Sequence, residues 1–155
     1  MSTPVTNPVR YPILACTLVG ALLSAFSLRN HYATDVTQYC DLNALFNCDL
    51  VNRSIYSEFL GLPVALIGLL GYTLLFLLSL RNDKRLAILR FVSAAFGFIF
   101  AVRLAYIEAR VLAVWCLLCI GSLAMISAIT VLSAIALWQD RILKPQQAEA
   151  RAKLG

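Results

Sequence analysis

The sequence predicts an all-α integral membrane protein: a bundle of four transmembrane helices with an extracytoplasmic loop that carries a short amphipathic helix. Three observations lead there. Hydrophobic residues make up 61% of the 155-residue chain and charged residues only 14%, with a mean hydropathy of +0.80, which leaves too little polar surface for a soluble domain. The apolar residues gather into four runs, each long enough to cross a bilayer as a helix. The charges gather between those runs, so the formal net charge of +5 reads as a topology signal and not as a surface for nucleic acid.

The first run, residues 11–28, is uncharged and follows a polar N-terminus containing Arg10. No small-residue cleavage site stands behind it, so it is expected as a retained helix. Residues 29–58 form a polar loop with His31, Asp35, Asp41, Asn43, Asn47, Asp49, Asn52 and Arg53. Leu42, Leu45, Phe46, Leu50, Val51 and Tyr56 are interleaved at helical spacing, as in a short amphipathic helix lying on the membrane. The second run is residues 59–80, with Pro63 in its first turn, where a missing N–H costs least. Arg81, Asn82, Asp83, Lys84 and Arg85 make a charged hairpin, and residues 86–107 return as a third span interrupted by Arg90 and Arg103. Residues 108–110 leave the membrane briefly. The last run, residues 111–138, is longer than one span needs, so its first residues are expected as a surface connector. A single membrane domain, residues 1–138, is thus followed by a basic tail, residues 139–155, in which no chemistry is expected.

Counting basic residues orients the model. Arg10, Arg81, Lys84, Arg85, Arg90, Arg141, Lys144, Arg151 and Lys153 fall on one side; Arg29, Arg53, Arg103 and Arg110 fall on or near the other. The richer side is expected to be cytoplasmic, with both termini inside and the 29–58 loop outside.

That topology sorts the five cysteines. Cys40 and Cys48 lie in the outer loop, and Cys116 and Cys119 form a C-x-x-C at the outer end of the fourth span, on the oxidising side where disulfides persist. The C-x-x-C sits at a helix N-terminus, where the helix dipole favours a thiolate. The loop pair taken alone reads more commonly as a static tie, and half of a zinc site is the lesser alternative for the C-x-x-C. Zinc, however, wants four ligands and the only histidine is His31, so no metal is expected. Cys16, among apolar neighbours in the first span, reads as an inert buried thiol. Two pairs at one membrane face suit thiol exchange with an external dithiol, carrying electrons inward in two steps. With no haem or iron–sulfur ligand set, the acceptor that remains is a lipid-soluble quinone. A soft-metal carrier using paired cysteines and a purely structural membrane protein are the competing classes.

The run Cys40-Asp41-Leu42-Asn43-Ala44-Leu45-Phe46-Asn47-Cys48-Asp49-Leu50-Val51, then Ser54, Tyr56-Ser57, Phe59, Gly61-Leu62-Pro63-Val64-Ala65, Gly68 and Tyr72, and finally Cys116-x-x-Cys119, resembles the vitamin K epoxide reductase family over residues 11–138. The resemblance implies a four-helix bundle around a quinone pocket capped by the loop helix. It implies Cys40 and Cys48 as a shuttle pair and Cys116 and Cys119 as the active-site pair. Cys48 would exchange with Cys116, while Cys119, one turn deeper, would form an adduct or charge-transfer contact with the quinone. Ser54 would be the hydroxyl near the reacting sulfurs. Animal members carry a tyrosine soon after the C-x-x-C that hydrogen-bonds the quinone; Ile120-Gly121-Ser122-Leu123 has none. The resemblance therefore favours the bacterial type over a vitamin K quinone or epoxide reductase. It implies oxidation of a thioredoxin-like periplasmic or luminal partner at the expense of ubiquinone, menaquinone or a vitamin K-type quinone, in support of disulfide formation. The place implied is the bacterial inner membrane, with the site facing the periplasm.

Arg103, about one turn inside the third span, is expected to snorkel to the headgroups, with lowering a cysteine pKa or polarising a quinone carbonyl as the functional alternative. Of the aromatic residues Tyr56, Phe59, Tyr72, Tyr106 and Trp115, Phe59 and Trp115 are the candidates for the quinone pocket because they stand closest to the motifs; aromatic belts explain the others equally well. His31 is expected at the surface, at the end of the first helix.

Overall fold

The computed structural model describes residues 9–33, 46–81 and 83–152, with side chains as far as Arg141; Cys40 lies outside the described residues. Helix α1 spans Arg10–Tyr32, α2 Cys48–Asn52, α3 Val64–Ser79, α4 Lys84–Ile107 and α5 Leu117–Ala152. Between α2 and α3 come a 3-10 turn at Ile55–Ser57 and a two-stranded hairpin, β1 (Glu58–Phe59) and β2 (Leu62–Pro63), paired antiparallel. A π-helical turn, Glu108–Leu112, follows α4.

Three helical stretches, Arg10–Tyr32, Lys84–Leu112 and Leu117–Arg141, are long and apolar enough to cross a membrane, and the chain is an integral membrane protein. The fourth long helix, α3, is a shorter apolar helix of 16 residues. Its expected start at Phe59 needs correction. Leu60 and Gly61 both have positive φ (55° and 79°), which turns residues 58–63 into a hairpin before any helix begins. Gly61 adopts that conformation without a Cβ penalty. Pro63, which has no N–H to donate, ends the hairpin as the N-cap of α3. The last run opens with a connector, as its excess length suggests: α5 starts at Leu117, because Ala113 takes a left-handed conformation (φ 52°) that ends the π turn. Of the loop's expected amphipathic helix, the described residues hold only the five-residue α2.

The packing of α1 follows from its sequence. Pro12 sits in the first turn, where its missing N–H breaks no intrahelical bond. Ile13, Thr17, Gly20, Ser24 and Ser27 recur every three or four residues and are buried, so a mostly small stripe faces α3 and α5. Small residues let backbones approach, and in lipid that gain in van der Waals contact holds helices together. Gly20 lies directly against the Tyr72 ring of α3, and Gly68 of α3 meets Ser24. Tyr72 is anchored in turn by its hydroxyl, which donates to the Ser122 carbonyl of α5 at 2.7 Å. Leu18, Leu22 and Phe26 of α1 and Phe96 and Ile99 of α4 stay exposed, forming the apolar exterior that a bilayer covers.

Candidate functional site

The site is assembled where the loop meets the start of α5. Asn47 donates its backbone N–H to the Trp115 carbonyl at 3.1 Å, and Phe46 forms a parallel bridge with Trp115. The side chain of Asn47 also accepts the Leu50 N–H at 2.7 Å, capping α2. Cys48 is therefore held at the first position of a capped helix, tied to the residue before Cys116. Arg53 fastens the other end of the segment by donating to the Ala33 carbonyl at the end of α1.

Cys48 and Cys116 are both fully buried, and they share one apolar cluster with Val51, Leu112, Val114, Leu118 and Cys119. Cys48 is in a disulfide, whereas Cys16, Cys116 and Cys119 are free. The Cys116 sulfur accepts the Cys119 N–H at 3.4 Å, and its carbonyl accepts the Ile120 N–H at 3.0 Å. Cys116 thus caps α5 with its own side chain, leaving Cys119 one turn further along.

A cavity of about 670 Å3 opens beside this cluster, a volume in the range of sites for small organic molecules. Its wall is mostly apolar, with Leu23, Val64, Leu75, Phe96, Phe100 and Ile126 among its residues. Cys119 lines it; Cys116 does not. Polar groups reach it from Ser27, His31, Asn52, Ser54 and Glu108. A flat, apolar ring bearing a few oxygen acceptors suits such a wall.

The residues singled out in the sequence are distributed unevenly around this cavity. Ser54 lines it, with its hydroxyl donating to the Val51 carbonyl at 2.8 Å. Phe59 lines it from the hairpin, edge-on to Phe100 at 5.9 Å between ring centroids. Tyr56 and Tyr72 also line it. Trp115 and Arg103 do not: Trp115 contributes its backbone to the loop clamp, and Arg103 is exposed on α4. Cys16 packs at the edge of the main core.

His31 departs from its expected place at the surface. Helix α1 runs on to Tyr32, so His31 continues the buried stripe one turn beyond Ser27 and lines the cavity. Its Nδ1 donates to the Asn52 carbonyl at 2.6 Å, and its Nε2 lies 3.7 Å from Glu58.

Glu108 was passed over in the sequence as part of a brief polar break. It is only 3% exposed, its carboxylate accepts the Cys116 N–H at 3.1 Å, and it lines the cavity together with Cys119. The wider π turn carries it beneath the C-x-x-C, as such turns often do at functional sites. A signal was available: a lone acid in an apolar stretch, eight residues before Cys116, is a functional candidate by default.

Comparison with known proteins fits this geometry: the model of the vitamin K epoxide reductase family matches residues 11–134, most of the chain.

Proposed function

Because the chain belongs to the vitamin K epoxide reductase family, an oxidoreductase family, we propose that it passes electrons from an extracytoplasmic thioredoxin-like protein to a membrane quinone through two cysteine pairs. The observation that carries this reading is the division of the sulfurs: Cys48 and Cys116 share one buried cluster, while Cys119 stands on the cavity wall.

The proposed cycle starts with the loop disulfide, Cys40–Cys48. A partner dithiol reduces it and leaves oxidised, with two electrons and two protons moving to the loop thiols. The Cys48 thiolate then attacks Cys116 of the Cys116–Cys119 disulfide, and Cys119 departs. Cys40 attacks Cys48, restoring the loop disulfide and freeing Cys116. Finally Cys116 and Cys119 close their own disulfide, giving up two electrons and two protons to a quinone, which leaves as the quinol. Glu108, on the cavity wall with Cys119, is the group that takes the thiol proton in this last step. Ser54 and Phe59 bound the space beside the sulfurs, and the quinone is of the ubiquinone, menaquinone or vitamin K type.

In this reading four helices span the membrane, α3 included, within one domain of residues 1–138, and residues 139–155 form a cytoplasmic tail. The site faces the periplasm of a bacterial inner membrane, as the excess of basic residues at the opposite end supports.

Cys40→Ser tests the order of the pairs. It should abolish oxidation of a thioredoxin-like protein while retaining quinone reduction by dithiothreitol, which reaches Cys116 and Cys119 directly. Equal loss with both reductants would make the loop disulfide a structural tie.

A further inference from the structure

The cavity has a second polar patch that the sulfur chemistry does not use. Asn52, the last residue of α2, is 6% exposed and lines the cavity. Both its oxygens are engaged: Oδ1 accepts from Ser27 Oγ at 2.7 Å, and the carbonyl oxygen accepts from His31 Nδ1 at 2.6 Å. The Ser27 bond fixes the side-chain amide, and the His31 bond to the backbone carbonyl holds the residue that carries it. Its Nδ2 is buried and has no hydrogen-bond partner among the described residues. Folded proteins seldom leave such a donor unpaired, because it has given up water for nothing. An amide that is held by its oxygen, yet idle at its nitrogen on the wall of an apolar cavity, is arranged to receive an acceptor from a ligand.

We propose that Asn52 donates a hydrogen bond from Nδ2 to a carbonyl oxygen of the quinone ring, with Ser27 and His31 as positioning residues that hold the amide. The inference deepens the quinone reading and rests on it. The acceptor must belong to a largely apolar molecule, since Phe59, Val64, Phe96 and Phe100 share the wall. A quinone carbonyl meets that description, and the bond strengthens as electrons arrive and charge grows on the oxygen.

The test uses the full chain in detergent with 2-methyl-1,4-naphthoquinone, in Asn52→Leu and in the double variant Ser27→Ala/Asn52→Leu. The double variant removes both hydrogen-bond partners, so no orphaned hydroxyl compromises folding. Loss of one neutral hydrogen bond should raise the KM for the quinone about tenfold. The KM for dithiothreitol should hold, and the infrared carbonyl band of the bound quinone should shift back toward its unbonded frequency. An unchanged quinone KM and carbonyl band in both variants would overturn the inference, as would both KM values rising in parallel with a lost melting transition. A wild-type protein that binds the probe with a shifted carbonyl band but does not reduce it would uphold the hydrogen bond and sink the quinone-reductase reading. Failure of the wild type to bind the probe would sink both.

Discussion

Toward the end of the bundle near Arg10 and Leu80 the helices are regular, and the Arg10 guanidinium donates to the Leu80 carbonyl. At the loop end, almost every group that holds the sulfurs comes from an interrupted backbone: a five-residue helix, a hairpin with two left-handed residues, a π turn and a left-handed Ala113. The contrast has a physical basis. Regular helices satisfy their own backbone and can present only side chains to a neighbour, whereas broken segments bring free N–H and carbonyl groups into the site. The Cys116 N–H can reach Glu108, and the Asn47 N–H can reach Trp115, because neither lies inside a regular helix.

Replacing Glu108 would test that contrast most severely. Glu108→Gln keeps an oxygen for the Cys116 N–H and keeps the volume, but it cannot take up the Cys119 proton. Quinone-linked turnover should fall about a hundredfold, the scale of one general acid–base group, while the melting temperature holds. Single-turnover quinone reduction by the prereduced protein is the measurement. A rate within the error of wild type would reduce Glu108 to a backbone anchor.

The helical half was legible in the sequence because periodicity and hydrophobicity report regular structure well. Residues 11–28 and 86–107 each fall within an observed helix, extended by four residues at most at either end. The loop half was legible only through its cysteines. Cys48, Cys116 and Cys119 are brought together, yet Glu108 beneath the C-x-x-C, and Asn52 and His31 on the cavity wall, belong to no pattern that repeats along the chain. The hairpin at 58–63 was missed because Phe59, Leu60, Leu62 and Val64 read as the start of an apolar run, and hydropathy outweighed the turn signal of Gly61 followed by Pro63.

The packing half can be broken at Gly20. Alanine is favoured over glycine in a helix by about 1 kcal/mol, but a Cβ at Gly20 would overlap the ring of Tyr72. That ring is held by its hydroxyl on Ser122 and cannot swing aside without losing the bond. Overpacking of this kind costs about 1–3 kcal/mol, so Gly20→Ala should be destabilising overall. Gly71→Ala, on the partner helix α3 beside Tyr72 but with nothing within 4 Å of the added carbon, should be neutral or stabilising. Thermal unfolding of the two variants in detergent separates packing from propensity. A Gly20→Ala protein as stable as Gly71→Ala would mean that α1 and α3 are not in close contact.

The smallest expected effect concerns Arg103, the residue for which sequence and geometry point in different directions. Its place one turn inside a span makes it a candidate for polarising a quinone carbonyl. On α4, however, it is exposed and absent from the cavity wall, with Leu104, Ala105 and Ile107 of the same helix lining the cavity instead. A long basic side chain there reaches the headgroups while its stem covers apolar surface. Arg103→Gln keeps most of that stem and removes only the charge, so the quinone KM should change by no more than about twofold, the usual limit for an exposed site. Steady-state assays over a range of quinone concentrations decide the matter. A tenfold rise in KM would bring Arg103 back to the ring and require α4 to rotate toward the cavity when the quinone binds.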